Sequence, residues 1–260
     1  MKLVVLISSL KGFSSTYIPV ILQSKTFEIS MVIFNEGGVV NKRKYYGRIL
    51  RKVFSIGLLG ALNGIRMRKW YNVQIQDYMP IQDMEEVCRQ YNIPFYKVST
   101  INSDETIGLF EKANADLGLS LGNGYIGKKI FSIPHFGMLN IHHELLPEYQ
   151  NAQSVIWQIY NGSSKTGYTI HKINAQIDTG DILYREDTSI LFKDTLSDTV
   201  STTYVSLHNL SSKGLLKVLD NFEEYYNKAR PQGKGKKYTT PNIWQYIKIL
   251  FNFKKLKTRS

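Results

Sequence analysis

One cysteine, Cys88, stands in 260 residues. That excludes an intrachain disulfide framework and any multi-cysteine metal cluster, and it favours a reducing compartment, so a cytoplasmic location is expected. Long apolar runs are missing as well. The run at 3–7 is too short for a membrane span or a signal-peptide core and reads as a first β-strand. No His/Cys/Asp cluster at ligand spacing occurs, so no catalytic metal is expected. No GxGxxG element occurs, so a dinucleotide site is unsupported. Repeats are absent, and so is low complexity apart from a basic tail. What remains is 43% hydrophobic and 21% charged, the balance of a globular chain. Its length suits one domain, or one domain with a small appendage.

Acidic residues are missing from two whole stretches. Between Asn41 and Gln76 there are nine Lys or Arg and no acid, and after Glu224 there are ten more and again no acid. The net charge of +12 is therefore gathered in two blocks, each suited to phosphates, nucleic acid or acidic headgroups. The first block, 41–71, also holds an apolar series near helical spacing, including Ile49, Leu50, Val53, Phe54, Leu58, Leu62 and Ile65. Gly57, Gly60 and Gly64 weaken a helix there by roughly 1 kcal/mol each against Ala. Two readings stay open: an interfacial helix over 43–69 making peripheral contact with an anionic membrane, or a helix packed on the domain with a basic rim.

Alternation and turn signals predict strands at 1–8, 27–35, 94–98, 117–121, 137–142, 166–173 and 182–190. Helices are predicted from 17–23, at 77–91, 103–114 and 152–160, and as a closing element at 196–226. Strands interleaved with helices mean an α/β fold with a mostly parallel sheet flanked by helices. The turn at 9–15 places Ser9, Lys11 and Gly12 where backbone N–H groups can meet a phosphate or substrate; it reads equally as a plain βα turn. The glycine-rich loop 122–129 can bring a ligand close to its backbone. The apolar residues of the tail, Ile243, Trp244, Tyr246, Ile247, Ile249 and Leu250, predict docking on the body or on a second subunit.

Chemistry concentrates at two places. In a strand at 137–142, Asn140 and His142 share a face, because the side-chain period is two. An amide can donate to a developing oxyanion, and an imidazole moves a proton near neutral pH. Asp178, in the loop 174–180, can orient such a histidine and raise its pKa. The same residues also read structurally, as a turn-capping Asn140, a half-buried His142 and an Asx turn at Asp178.

The order of these elements resembles the formyl-folate-dependent formyltransferase family. The resemblance is carried by Asn140-x-His142, Leu145-Leu146-Pro147, Thr166-Gly167 and Asp178-Thr179-Gly180. It is clear over 115–190 and weaker back to residue 1. It implies a Rossmann-like catalytic domain over 1–190, with the basic segment 41–71 as an insertion, and a closing helix and basic extension over 191–260. The donor implied is N10-formyltetrahydrofolate, with the N5-formyl analogue as a bound mimic. Asn140 would polarise the formyl oxygen, His142 assist proton transfer, and Asp178 hold His142, in direct acyl transfer without a covalent enzyme intermediate. The pterin would lie between Tyr125-Ile126 and the stretch Asn174, Ala175 and Ile177. His143, additional to the signature, is expected to be a packed neighbour.

Within the family, the sugar N-formyltransferases are the expected match: a nucleotide-linked amino-dideoxy sugar as acceptor, a product bound for O-antigen or lipopolysaccharide, and a homodimer. Tyr149, Trp157 and Tyr160 are the aromatics suited to a sugar or base. Where tRNA-acting members carry Arg-Gly after Leu-Leu-Pro, this chain has Glu148-Tyr149-Gln150-Asn151. That departure, the chain length and the lack of an RNA-reading domain argue against a methionyl-tRNA formyltransferase-like enzyme with nucleic acid as partner. The same motifs would also suit a glycinamide ribonucleotide transformylase, or a non-catalytic relative that binds a membrane or a partner.

Overall fold

The computed structural model describes residues 1–38 and 42–259; residue 41, the first of the basic segment, lies outside them. The chain runs β1 (Lys2–Ile7), α1 (Ser14–Ile21), β2 (Glu28–Asn35), α2 (Lys42–Asn72), a short 3-10 turn (Gln74–Asp77), α3 (Met84–Gln90), β3 (Phe95–Val98), α4 (Asp104–Ala113), β4 (Leu117–Leu121) and α5 (Lys128–Phe131). It continues through β5 (Met138–His142), α6 (Ile156–Tyr160), β6 (Lys165–Lys172), β7 (Ile182–Ser189), α7 (Leu196–Asp220), α8 (Phe222–Asn227) and α9 (Ile243–Lys257).

Seven strands form one sheet in the order β3-β2-β1-β4-β5-β6-β7. The first five are mutually parallel, and β6 and β7 are antiparallel. The α/β expectation holds. β1 is central and buried on both faces, which is why it reads as an unbroken apolar run rather than as an alternation. Its odd residues Leu3, Val5 and Ile7 pack with Tyr17 and Ile18 of α1, Val87 of α3, and Leu215 and Leu219 of α7. Its even residues Val4 and Leu6 pack on the other face with Phe110 of α4 and Ile130 of α5. α7 therefore helps close one face of the central sheet, and β6 and β7 extend that sheet beyond β5.

The helix predicted at 77–91 is divided. Pro80 cannot donate in a helix and biases Met79 toward extended backbone. The helix restarts at α3, where the Asp83 carboxylate accepts the Glu85 N–H at 2.9 Å. The one predicted at 152–160 begins only at Ile156, because Val155 sits at φ 70°. The one predicted at 196–226 changes direction at Asn221 and becomes α7 and α8.

α2 is two helical arms joined at Gly57, whose φ of 75° and ψ of 163° interrupt it. In the second arm, Gly60 and Gly64 face Asn242 and Thr240 closely: a β-carbon would crowd the Asn242 main chain at Gly60 and overlap the Thr240 side chain at Gly64. These glycines, unfavourable for an isolated helix, let the segment before α9 cross α2. Met67 and Trp70 of α2 then join Ile156 and Ile159 of α6, Val200 and Leu207 of α7, and Tyr246, Ile249 and Phe253 of α9 in a third core cluster. The expected docking of the tail on the body is thus realised through α9. Its start is fixed by a capping box, in which Asn242 and Gln245 satisfy each other's backbone N–H groups.

Candidate functional site

The strand order reverses between β1 and β4, and a cavity of about 730 Å³ opens beyond the carboxyl ends of the central strands. The loop after β4 supplies Asn123, Tyr125 and Ile126; β5 supplies Asn140 and His142; the loop after β6 supplies Asn174, Ile177 and Asp178. A second cavity, of about 520 Å³, adjoins it and shares Tyr71, Asn72, Gly122, Ile141, His143 and Tyr204. Ser9, Lys11 and Gly12 of the turn after β1 line this second space, with Phe13, Tyr17 and His208.

The pleat puts Asn140 and His142 on one face of β5, as their spacing predicts. His142 Nε2–H donates to the Tyr149 carbonyl at 2.9 Å, since a carbonyl can only accept. That fixes the proton on Nε2 and leaves Nδ1 facing Asp178 Oδ2 at 3.8 Å. Asp178 adopts φ 56°, a left-handed conformation that Asp tolerates, and its carboxylate accepts the Asn151 N–H at 2.9 Å. The three expected residues therefore converge on one wall.

A fourth residue belongs with them. His171 lies directly opposite Asn140 in the antiparallel β5–β6 register. Its Nδ1–H donates to the Lys172 carbonyl at 2.9 Å, so Nε2 is free to accept the Asn140 amide N–H at 3.2 Å. His171 Nε2 also stands 3.7 Å from Asp178 Oδ1. Burial pushes the His171 pKa down, and the attraction of Asp178 only partly opposes it. A neutral His171 accepts one Asn140 N–H and leaves the other for the cavity. The signal was present in the alternation of 166–173, but only the strand register shows that His171 meets Asn140.

Beneath this wall lies a buried polar layer. His143 sits between the Tyr17 hydroxyl (3.0 Å) and Ser211 Oγ (3.3 Å), and its ring lies 3.9 Å from that of His208. Burial, reinforced by His142, pushes His143 down to about 3, so it is a neutral, packed ring near neutral pH. His208 stacks on Phe13 with ring centroids 3.7 Å apart, and burial likewise holds it well below the usual imidazole range.

Glu144 is also buried, accepts a hydrogen bond from Gln158 Nε2, and has its pKa raised well above the usual carboxylate range by burial. The folded state thus keeps a proton that the unfolded chain releases above pH 4.5. Stability from this group is complete below that pH and declines as pH rises toward the folded value. Glu144→Gln should therefore gain on the native protein between pH 5 and pH 8. The stability gap should widen by at most about 1.4 kcal/mol per pH unit. Thermal melts of both proteins across that range check this; parallel curves would mean that Glu144 is already ionised in the fold.

The other expected contacts divide. Tyr125, Ile126, Asn174 and Ile177 line the larger cavity, whereas Ala175 is exposed and does not line it. Asn174 Oδ1 accepts from the Gln176 N–H and the Thr179 hydroxyl, both at 2.9 Å, and so pins the loop that carries Asp178. The ring of Tyr149 lies outside both cavities. It stacks on Tyr238 at 5.5 Å, because its carbonyl is the part turned toward His142. Trp157 is core, donating to the Thr239 carbonyl at 3.0 Å, and Tyr160 packs edge-on against it. Lys52 and Arg68 of α2 also line the larger cavity and were not expected there. Burial and the nearby Arg68 lower the pKa of Lys52.

Gly167 and Gly180 show why the motif needs glycine. A β-carbon at Gly167 would overlap the Leu145 side chain and the Glu186 carbonyl oxygen; one at Gly180 would overlap the Lys172 carbonyl oxygen.

A methionyl-tRNA formyltransferase of Kosmotoga olearia is 29% identical over 171 residues, covering 65% of this chain and 54% of that protein. The chain thus spans about half the length of the curated relatives it matches. An N-formyltransferase from Helicobacter canadensis, solved with folinic acid and dTDP-3-aminofucose, superposes with a TM-score of 0.57 at 16% identity, over 97% of this chain and 80% of that one. Phosphoribosylglycinamide formyltransferase from Streptococcus pneumoniae gives 0.54 at 18% identity, over 86% of this chain and 99% of that one. At these identities the superpositions speak for the fold alone. The sequence profile described as formyl transferase matches residues 66–219, more than half of the chain and the whole stretch bearing Asn140, His142 and Asp178, so this protein belongs to the formyl transferase family.

Proposed function

We propose that the protein transfers a formyl group from N10-formyltetrahydrofolate to the amine of a nucleotide-linked amino-dideoxy sugar by direct acyl transfer. The observation that carries this reading is a pair of adjoining cavities, one for each substrate of a two-substrate reaction: the larger is lined by Asn140, His142 and Asp178, and the two share Ile141 and His143 of the same stretch of chain. The larger one suits a reduced folate. Its walls combine apolar Ile126 and Ile173 with Asn123 and Gln153, each of which has a buried side-chain oxygen lacking a hydrogen-bond partner. Such orphaned acceptors fit the amino and ring N–H donors of a pterin. Tyr125, Ile126, Asn174 and Ile177 would hold it, and it supplies the electrophilic formyl carbon.

The chain's own residues then have distinct tasks. Asn140 keeps one N–H for a carbonyl oxygen in the cavity, while its bond to His171 prevents rotation. An amine attacks only as the free base, and the Asp178 carboxylate and His142 Nδ1 are the acceptors placed for its proton. His142 Nδ1, which faces Asp178 at 3.8 Å, is placed to take that proton and return it to the folate nitrogen as its bond to the formyl carbon breaks.

The acceptor space favours a sugar. Phe13, Tyr17 and Tyr204 contribute aromatic lining to the space for a pyranose ring, and the neutral imidazoles add no charge. Ser9, Lys11 and Gly12 stand at the turn where a diphosphate would bind. The affinity of the sequence to methionyl-tRNA formyltransferases supports tRNA as the second acceptor to test.

The test is a screen of amine acceptors with the reduced folate, scored by mass gain of one formyl group. Amino-sugar nucleotides should turn over, and Lys11→Ala should raise their KM about tenfold or more while leaving the folate KM unchanged. A hydrogen bond to a charged group is worth roughly 1.5–3 kcal/mol. Turnover only with methionyl-tRNA or glycinamide ribonucleotide would overturn the sugar assignment. Absence of turnover with every amine would overturn the reaction itself.

A further inference from the structure

We propose that α2 and α9 form a docking surface for a bilayer containing anionic phospholipid, holding the enzyme peripherally on the membrane. In the first arm of α2, Tyr46, Ile49, Leu50 and Phe54 share one helical face. They are 59%, 41%, 58% and 86% exposed. Arg48, Arg51 and Lys52 take the opposite side, and Lys52 lines the catalytic cavity.

Beyond the Gly57 bend, Leu58, Leu62 and Ile65 repeat the outward pattern at i, i+4 and i+7, with 69%, 55% and 61% exposure. The inward stripe of this arm, Gly64, Met67 and Trp70, is already buried against the body. The second arm therefore has two apolar faces, and the protein's own fold covers one. A helix bordering only water would carry polar residues on the other.

α9 repeats the arrangement. Tyr246, Ile249 and Phe253 point into the core, while Trp244, Ile247 and Phe251 are 76%, 48% and 68% exposed among Lys248, Lys254 and Lys255. The two helices are neighbours, because Asn242, the residue that caps α9, lies against Gly60 of α2. An apolar surface of this extent is uncommon on a monomer that meets only solvent.

Charge chooses the occupant. The segment 42–76 holds nine Lys or Arg and the chain after Glu224 holds ten, and neither contains an acidic residue. A second copy of the chain would bring the same sign against this surface. Anionic headgroups supply the opposite sign, and the acyl boundary takes up the apolar side chains. Trp and Tyr with long basic side chains suit the headgroup level. Among the described residues no helix is long and apolar enough to cross a membrane, so the contact lies in the interface plane.

The experiment is co-sedimentation of the full chain with phosphatidylglycerol–phosphatidylcholine vesicles, beside vesicles of phosphatidylcholine alone. Binding is expected only to the anionic vesicles, weakening as salt rises. The double variant Phe54→Glu/Leu58→Glu and the separate variant Trp244→Glu should each reduce it at least tenfold. Circular dichroism and formyl transfer to a soluble acceptor should not change. No sedimentation with the anionic vesicles, or binding unaffected by both variants, overturns the proposal. So does a dimer seen by light scattering that both variants dissociate while vesicle binding is absent, since a second copy then covers the surface.

Discussion

Asn140→Ala is expected to lower kcat for formyl transfer by about 10²–10³-fold, the usual loss when one preorganised oxyanion donor is removed. The argument rests on where the amide is held. Asn140 is part of β5, paired in register with Ser120 on one side and His171 on the other. Its rotation is limited by the 3.2 Å bond to His171, whose Nδ1–H is committed to the Lys172 carbonyl. A donor fixed by the sheet costs no reorganisation when charge develops on the formyl oxygen. Loss of that donor should appear in kcat and leave the KM for the folate nearly unchanged, because the amide binds the transition state more strongly than the ground state. Asn140→Asp preserves shape and removes the donor, so it should be as impaired as Asn140→Ala. Recovery of activity in the Asp variant would show that the side chain only fills space.

The strands were legible because each announces itself by composition over a short window. β1 carries a continuous apolar run, β4 is a short stretch of leucines alternating with Gly118 and Ser120, β6 alternates, and each is bounded by polar or glycine-bearing turns. Asn140, His142 and Asp178 were legible for a different reason: their motif keeps a fixed order along the chain. What stayed hidden depended on relations between segments distant in sequence. His171 becomes part of the site only when β6 pairs antiparallel with β5 at one particular register. Tyr149 looked useful for its ring, yet its carbonyl orients His142 while the ring stacks on Tyr238 from the tail. The glycines of α2 spoke against a helix because a propensity describes an isolated segment. Gly57 does interrupt the helix, but the cost of Gly60 and Gly64 is offset where Asn242 and Thr240 cross the helix, crowding any β-carbon at Gly60 and overlapping one at Gly64. Lys52 and Arg68 read as part of a basic rim; bringing them to the cavity took the placement of α2 over the carboxyl ends of the strands.

Gly180→Ala should damage stability and catalysis together. The chain leaves β6 at Lys172, makes the loop bearing Asp178, and returns so that the Lys172 N–H donates to the Asp181 carbonyl at 2.9 Å. Gly180 lies inside that return, where an added β-carbon would overlap the Lys172 carbonyl oxygen. The obstacle is main chain at a sheet end, so no side-chain rotation relieves it. The loop must lift from β6, at an overpacking cost of about 1–3 kcal/mol. Lifting it also carries the Asp178 carboxylate away from His142 and His171, which it now faces at 3.8 and 3.7 Å. A misplacement of about 1 Å in such a group can cost about 10²-fold in rate. Gly233→Ala is the control, since a β-carbon there meets nothing within 4 Å. It should stay within about 0.5 kcal/mol of the native protein. Thermal melts and single-turnover rates on the two variants separate the effects. A Gly180→Ala protein with native melting and native rate would mean that the loop can rise without moving Asp178, and the carboxylate would then not be positioned by the Asp-Thr-Gly turn.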